Sequence, residues 1–221
     1  MAQDLWNAVD GYIMDRLLPP DPVLDAVMAA NAAAGLPAID VSPAQGKLLY
    51  LLARMSGARR ILEIGTLGGY STIWLARAVP AGGQVVTLEA MANHVEVARA
   101  NFARAGLADR IDLRLGNALD SLPVIAAEAG GPFDLVFLDA DKQNNPAYLA
   151  WALKMAKPGT VIIADNVVRE GEIIDAASTD GSIKGVRRFF DMLAEEPRLT
   201  ATAIQTVGGK GWDGFAFAIV D

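Results

Sequence analysis

Three oxygen-bearing side chains stand at the ends of two apolar runs. Asp139 closes Phe133-Asp-Leu-Val-Phe-Leu138, and Asp165-Asn166 closes Thr160-Val-Ile-Ile-Ala164. Two carboxylates and an amide make a hard-oxygen donor set, suited to Mg²⁺ or to another divalent cation such as Mn²⁺ or Ca²⁺. Lys142 follows in Leu138-Asp-Ala-Asp-Lys142. An ammonium beside a divalent cation is disfavoured, so this lysine could take a proton from a hydroxyl. Plainer readings stay open: strand-end aspartates that cap the following helices, and a solvated Lys142 paired with Asp141.

A second group surrounds a glycine turn. In Arg60-Ile-Leu-Glu-Ile-Gly-Thr-Leu-Gly-Gly-Tyr-Ser71 an apolar run carries Glu63, then Gly65, Gly68 and Gly69, and a helix begins near Ser71. Glu89 ends the next apolar run, Gln84-Val-Val-Thr-Leu88. Glycines let a bound molecule approach the backbone, and the acid after the second run can accept bonds from both hydroxyls of a ribose. The pattern departs from the dinucleotide fingerprint Gly-x-Gly-x-x-Gly, because residue 67 is Leu. Two strand-end acids beside such a turn suit a nucleoside carrying an amino-acid chain better than a pyrophosphate. The bland alternative is a tight strand-to-helix turn.

These residues need a scaffold that brings them to one rim. From residue 60 onward, strand candidates at 60–64, 84–88, 110–115, 133–138 and 160–164 alternate with helix candidates at 71–79, 92–105, 118–127 and 146–156. Such alternation predicts an α/β, doubly wound, mostly parallel sheet. The runs at 133–138 and 160–164 are nearly all apolar, as central strands are, whereas 109–115 alternates in polarity and reads as an outer strand. A helix at 182–195 and strands at 199–206 and 214–220 follow, the last two joined at Gly208-Gly-Lys-Gly211 as an antiparallel hairpin. Ligands of such sheets bind beyond the carboxyl ends of the strands. Glu63, Glu89, Asn117, Asp139, Asp141, Lys142, Asp165 and Asn166 all fall there. Residues 1–58 read as three helices packing on a core formed by 59–221. The first has apolar residues at Leu5, Val9, Tyr12, Ile13 and Leu17.

Composition narrows the function classes. The chain of 221 residues is 52% apolar with a formal charge of −7, which argues against a nucleic-acid partner. It has no cysteine and one histidine, His94, so thiolate metal sites and a histidine-centred triad are poorly supported. His94 is placed at the outer edge of the bound nucleoside or in solvent. Trp6, Trp74, Trp151 and Trp212 read as packing residues, Trp212 being the one that could also form a substrate wall. No leader peptide or membrane span is expected, so a cytoplasmic protein is the default.

The motifs Leu62-Glu-Ile-Gly-Thr-Leu-Gly-Gly-Tyr-Ser71, Thr87-Leu-Glu89, Phe137-Leu-Asp-Ala-Asp-Lys142 and Ala164-Asp-Asn-Val167 together resemble the cation-dependent class I O-methyltransferases. This is the group of the catechol and caffeoyl-coenzyme A enzymes, which use S-adenosylmethionine, and the likeness extends from about Val41 to Val220. It implies a seven-stranded Rossmann-like sheet with an antiparallel C-terminal strand. It further implies that Glu63, Gly65, Gly69 and Ser71 serve the methionine part of the cofactor, with Asp139 near it. Glu89 would hold the ribose, Asn117 and Ala118 would flank the adenine, and Val41 would close over the cofactor. Asp139, Asp165 and Asn166 would bind the metal and Lys142 would act as base. The acceptor would be a small aromatic bearing adjacent hydroxyls, of catechol, phenylpropanoid or flavonoid type, and the protein a homodimer. Asn117-Ala118-Leu119 departs from the adenine-side sequence of the animal catechol enzymes, and no basic residues for a coenzyme A phosphate are evident. The rival readings are a nicotinamide-dependent oxidoreductase and a catalytically silent cofactor-binding protein.

Overall fold

The computed structural model describes residues 2–128 and 130–221. Three N-terminal helices come first: α1 (Ala2–Leu17), α2 (Pro22–Ala33) and α3 (Pro43–Met55). Their starts are set locally. The Asp21 carboxylate accepts from Val23 N and Leu24 N, with Pro22 in the first turn. Ser42 and Gln45 form a reciprocal capping box before α3.

Alternation then runs β1 (Arg60–Ile64), α4 (Tyr70–Ala78), β2 (Gln84–Glu89), α5 (Ala92–Arg104), β3 (Ile111–Leu115), α6 (Ala118–Ala127), β4 (Leu135–Leu138), α7 (Asn145–Lys154), β5 (Val161–Asp165), α8 (Gly181–Glu195), β6 (Leu199–Gly208) and β7 (Gly211–Val220). The strands form one sheet in the order β3-β2-β1-β4-β5-β7-β6. The first five are parallel, and β7 runs antiparallel to both β5 and β6. The expected doubly wound α/β sheet is therefore present, with β3 at one edge and the hairpin at Gly208–Gly211. Boundaries shift by a few residues. A 3₁₀ turn at Ala108–Arg110 precedes β3, and β4 starts at Leu135, just after Asp134, whose carboxylate accepts from Arg59 N and Arg60 N.

Alternate residues of the strands feed two apolar layers. Ile61, Phe137, Ile163 and Phe215 join α2 to α5 on one face. Leu62, Val136, Leu138 and Ile162 join α6 to α8 on the other. Cover on both faces is why these strands read as continuous apolar runs. α1 stands apart: none of its residues is buried. Leu5, Val9, Tyr12, Ile13 and Leu17 form a helical stripe, as expected, but the stripe faces outward. Among the described residues no helix is long and apolar enough to cross a membrane.

Candidate functional site

A cavity of about 540 Å³ opens beyond the carboxyl ends of β1, β2, β4 and β5. It lies where strand order reverses between β1 and β4, the crevice in which open α/β sheets take their ligands.

The glycine turn forms one wall. Gly65 has φ +105°, and a Cβ there would collide with the Asp139 carbonyl oxygen; Gly69 has φ +88°, and a Cβ would collide with the Phe102 ring. The turn needs glycine at both positions for conformation and for space. Leu67, which also has a positive φ of 49°, is held there from below. Glu89 Oε2 accepts from Leu67 N at 2.8 Å and Thr66 N at 3.3 Å. Glu89 Oε1 accepts from Met91 N at 3.0 Å and lies 3.2 Å from His94 Nδ1. Glu89 thus fixes the turn and lines the cavity.

Glu63 is placed differently from its expected role in touching a ligand. It is fully buried and does not line the cavity. It accepts from the hydroxyls of Ser71 (2.7 Å), Thr87 (2.6 Å) and Thr72. Burial pushes its carboxyl up to about 7 against the pull of those hydroxyls. Glu63 therefore orients Ser71, which does reach the cavity. Gly69 likewise stands behind the wall as the residue before α4, whereas Val41, Gly65, Asn117, Ala118 and Asp139 line it. Asn117 also caps α6, its Oδ1 accepting from Leu119 N at 2.8 Å.

The oxygen donors follow the ends of β4 and β5. Asp139 and Asp165 each stand one residue past the register pair Leu138–Ala164 of β4 and β5. Burial raises the Asp139 carboxyl, with Lys142 opposing. Burial and then the Asp139 charge push Asp165 up to about 8. Asp165 Oδ1 accepts from Asn166 N at 2.7 Å, and Asn166 adopts φ +55°, a conformation that Asn tolerates. Asn166 and Asp139 line the cavity while Asp165 lies behind them. Among the described residues no three His, Cys, Asp or Glu side chains cluster to hold a metal; the set is two carboxylates and one amide. Two carboxylates that repel each other out of water suit a hard cation, which would favour their ionised forms.

Lys142 is buried, and its Nζ sits 2.8 Å from Asp139 Oδ1. Pairing with Asp141 in solvent is thereby corrected: Asp141 is engaged by the Tyr148 hydroxyl and the Asn144 amide. The Lys142–Asn144 turn is backed by α8, where a Cβ at Gly185 would collide with Lys142 O.

Several contributors gave no sequence signal. Asn101 Nδ2 donates to Gly68 O at 2.8 Å and to Asn31 Oδ1 at 2.9 Å, and Asn31 Nδ2 donates to Asp40 Oδ1 at 2.9 Å. This buried amide chain ties α2 and the residue before Val41 to the glycine turn. Arg169 also lines the cavity, as does His94, which the sequence placed at the cofactor's edge or in solvent. Trp212 packs over Gly171, donates to Gln205 Oε1 and stays outside the cavity.

Comparison with known proteins gives this geometry a family. Residues 20–212 match the O-methyltransferase family model. The chain belongs to the O-methyltransferase family. This O-methyltransferase is 57% identical to a catechol O-methyltransferase of Mycobacterium tuberculosis, over 96% of this chain and 94% of that one. It is 60% identical to an O-methyltransferase from Bacillus cereus solved in complex with SAH, with a TM-score of 0.98 and 99% of each chain covered. It is 49% identical to the O-methyltransferase TomG from Streptomyces achromogenes, solved with SAM and involved in tomaymycin synthesis. That match has a TM-score of 0.97 and covers 100% of this chain and 99% of that one.

Proposed function

We propose that this O-methyltransferase uses S-adenosylmethionine and a divalent cation, Mg²⁺ first among them, to methylate one hydroxyl of an aromatic vicinal diol. The observation that carries the reading is the meeting of two half-sites in one cavity. Residues of the glycine turn and Glu89 line the same cavity as Asp139, Lys142 and Asn166. The complexes of the relatives with SAH and SAM support the donor.

In this reading Glu89 accepts the ribose hydroxyls, and Gly65 and Ser71 face the methionine end. Asn117 and Ala118 flank the base, and Val41 covers the cofactor. Asp139, Asp165 and Asn166 hold the cation. The bound cofactor supplies an electrophilic methyl on sulfur, and the bound cation acidifies and orients the acceptor diol. Lys142 Nζ receives the acceptor's proton. The chain's main contribution is to hold both reactants in line, which is worth several kcal/mol. A diol gives two oxygens to the cation, so catechols, phenylpropanoids and flavonoids are the substrate class.

The test is transfer of labelled methyl to a panel of catechols and monophenols, with EDTA and with Mg²⁺ restored. Metal-dependent transfer to catechols is expected; full activity in chelator removes the cation, and transfer to none removes the acceptor class.

The unburied stripe of α1 and the exposed edge strand β6, which α1 packs against, support a homodimer.

A further inference from the structure

Among the described residues, Arg169 forms no ion pair and its Nε meets no acceptor. The backbone leaves β5 through a strained turn in which Asn166, Arg169 and Glu170 have φ of 55°, 54° and 54°. Asp213 of β7 braces it, its Oδ1 accepting from Val168 N at 2.9 Å and Arg169 N at 3.0 Å. Left-handed backbone at a non-glycine residue persists where the surroundings enforce it, and such sites gather at ligand clamps. The result is an arginine whose side chain lines the cavity beside Asn166.

Its Nε is buried and meets no acceptor. Among the described residues no carboxylate pairs with the Arg169 guanidinium. Three carboxylates around the turn are engaged elsewhere: Asp139 with Lys142, Asp165 with Asn166 N, and Asp213 with the backbone of the turn. The chain carries 26 acidic residues against 19 basic ones, so partners are not scarce; this guanidinium is kept from them. A buried donor left unmet is costly unless a ligand completes it. A planar guanidinium fork matches a carboxylate with two parallel hydrogen bonds.

We infer that Arg169 binds a carboxylate on the acceptor, so that the preferred substrates are vicinal-diol aromatic acids. The inference rests on the acceptor reading above and narrows it. A cation held by Asp139, Asp165 and Asn166 would take the two hydroxyls, and Arg169, which lines the same cavity, takes the anionic substituent of the same molecule. Arg169 is a specificity residue and carries no proton in the reaction.

The experiment compares three probes that differ in this substituent: protocatechuate, its neutral amide and unsubstituted catechol. The wild-type enzyme is expected to use the acid with kcat/KM roughly tenfold or more above the amide, mostly through KM. Arg169→Met should level acid and amide while leaving kcat on catechol and affinity for S-adenosylmethionine within about twofold; Arg169→Lys should restore part of the preference. Equal use of acid and amide by the wild type, or a preference that survives Arg169→Met, overturns the inference. Equilibrium binding of acid and amide to the S-adenosylhomocysteine complex separates this from failure of the acceptor reading. Transfer to none of the probes, with tighter binding of the acid lost in Arg169→Met, would overturn the reaction class and retain the carboxylate site; equal binding overturns the site.

Discussion

Lys142 Nζ lies 2.8 Å from Asp139 Oδ1. The proposed base and a proposed cation ligand thus form one unit, three residues apart, at the end of β4. Lys142→Ala should lower kcat by about 10²–10⁴-fold and leave S-adenosylmethionine affinity nearly unchanged, since no cofactor contact is lost. Rapid-quench methyl transfer and a binding titration check the two halves. An unchanged kcat removes the base assignment.

Cation removal should act on the acceptor and not on the donor. EDTA should abolish methyl transfer to catechol while S-adenosylmethionine still binds, and Asp165→Ala should raise the Mg²⁺ concentration for half-maximal rate by at least about tenfold. Retention of the wild-type Mg²⁺ dependence in Asp165→Ala would remove that residue from the donor set.

Glu63 gives a pH signature. Its carboxyl is held at about 7 in the folded chain against an ordinary value of 4.5, so the folded state binds this proton more tightly. The associated stability is full below the ordinary value and is lost as pH rises through the folded one, a change of about 3 kcal/mol. Glu63→Gln should flatten the decline of Tm between about pH 5 and 8. Parallel profiles for variant and wild type would sink the assignment.

Gly65 and Gly11 make a matched pair. A Cβ at Gly65 meets the Asp139 backbone and requires φ +105°, whereas one at Gly11 meets nothing. Gly65→Ala should cost about 1–3 kcal/mol and weaken cofactor binding. Gly11→Ala, inside α1, should be neutral or stabilising by up to about 1 kcal/mol. Denaturant melts of both variants decide it.

The exposed face of α1 bears on assembly. Leu5 is 63% and Leu17 67% exposed, and sedimentation should give a particle of twice the chain mass. Leu5→Glu with Leu17→Glu should shift it to monomer. A wild-type monomer at micromolar concentration would end the homodimer reading.

The sheet was legible because short apolar runs bounded by turn residues and alternating with helical segments are the pattern of parallel strands covered on both faces, and the rim residues followed from topology. What escaped was pairing over long sequence distances. Asn31, Asn101 and Asp40 carry no local pattern, because a buried amide looks like a surface amide until its partner is known. Lys142 was read with its neighbour Asp141 as the alternative, but adjacent residues in a helical turn do not face each other, and Asp139 lies on the correct side. The stripe of α1 showed its helix and not which way it faces. Periodicity reports a face, and only the surrounding packing says what meets it.

Asp213 sets an order on biosynthesis. β7 lies between β5 and β6 in the sheet, so a ribosome that has delivered the chain only as far as β6 has made a strand with no place to dock. The turn that carries Asn166 and Arg169 also lacks its brace at that moment. In the proposed reading the donor half can mature during translation, while the acceptor half must wait for the hairpin to be threaded home. Nascent chains stalled before residue 213 should therefore capture the nucleoside and discriminate poorly among phenols.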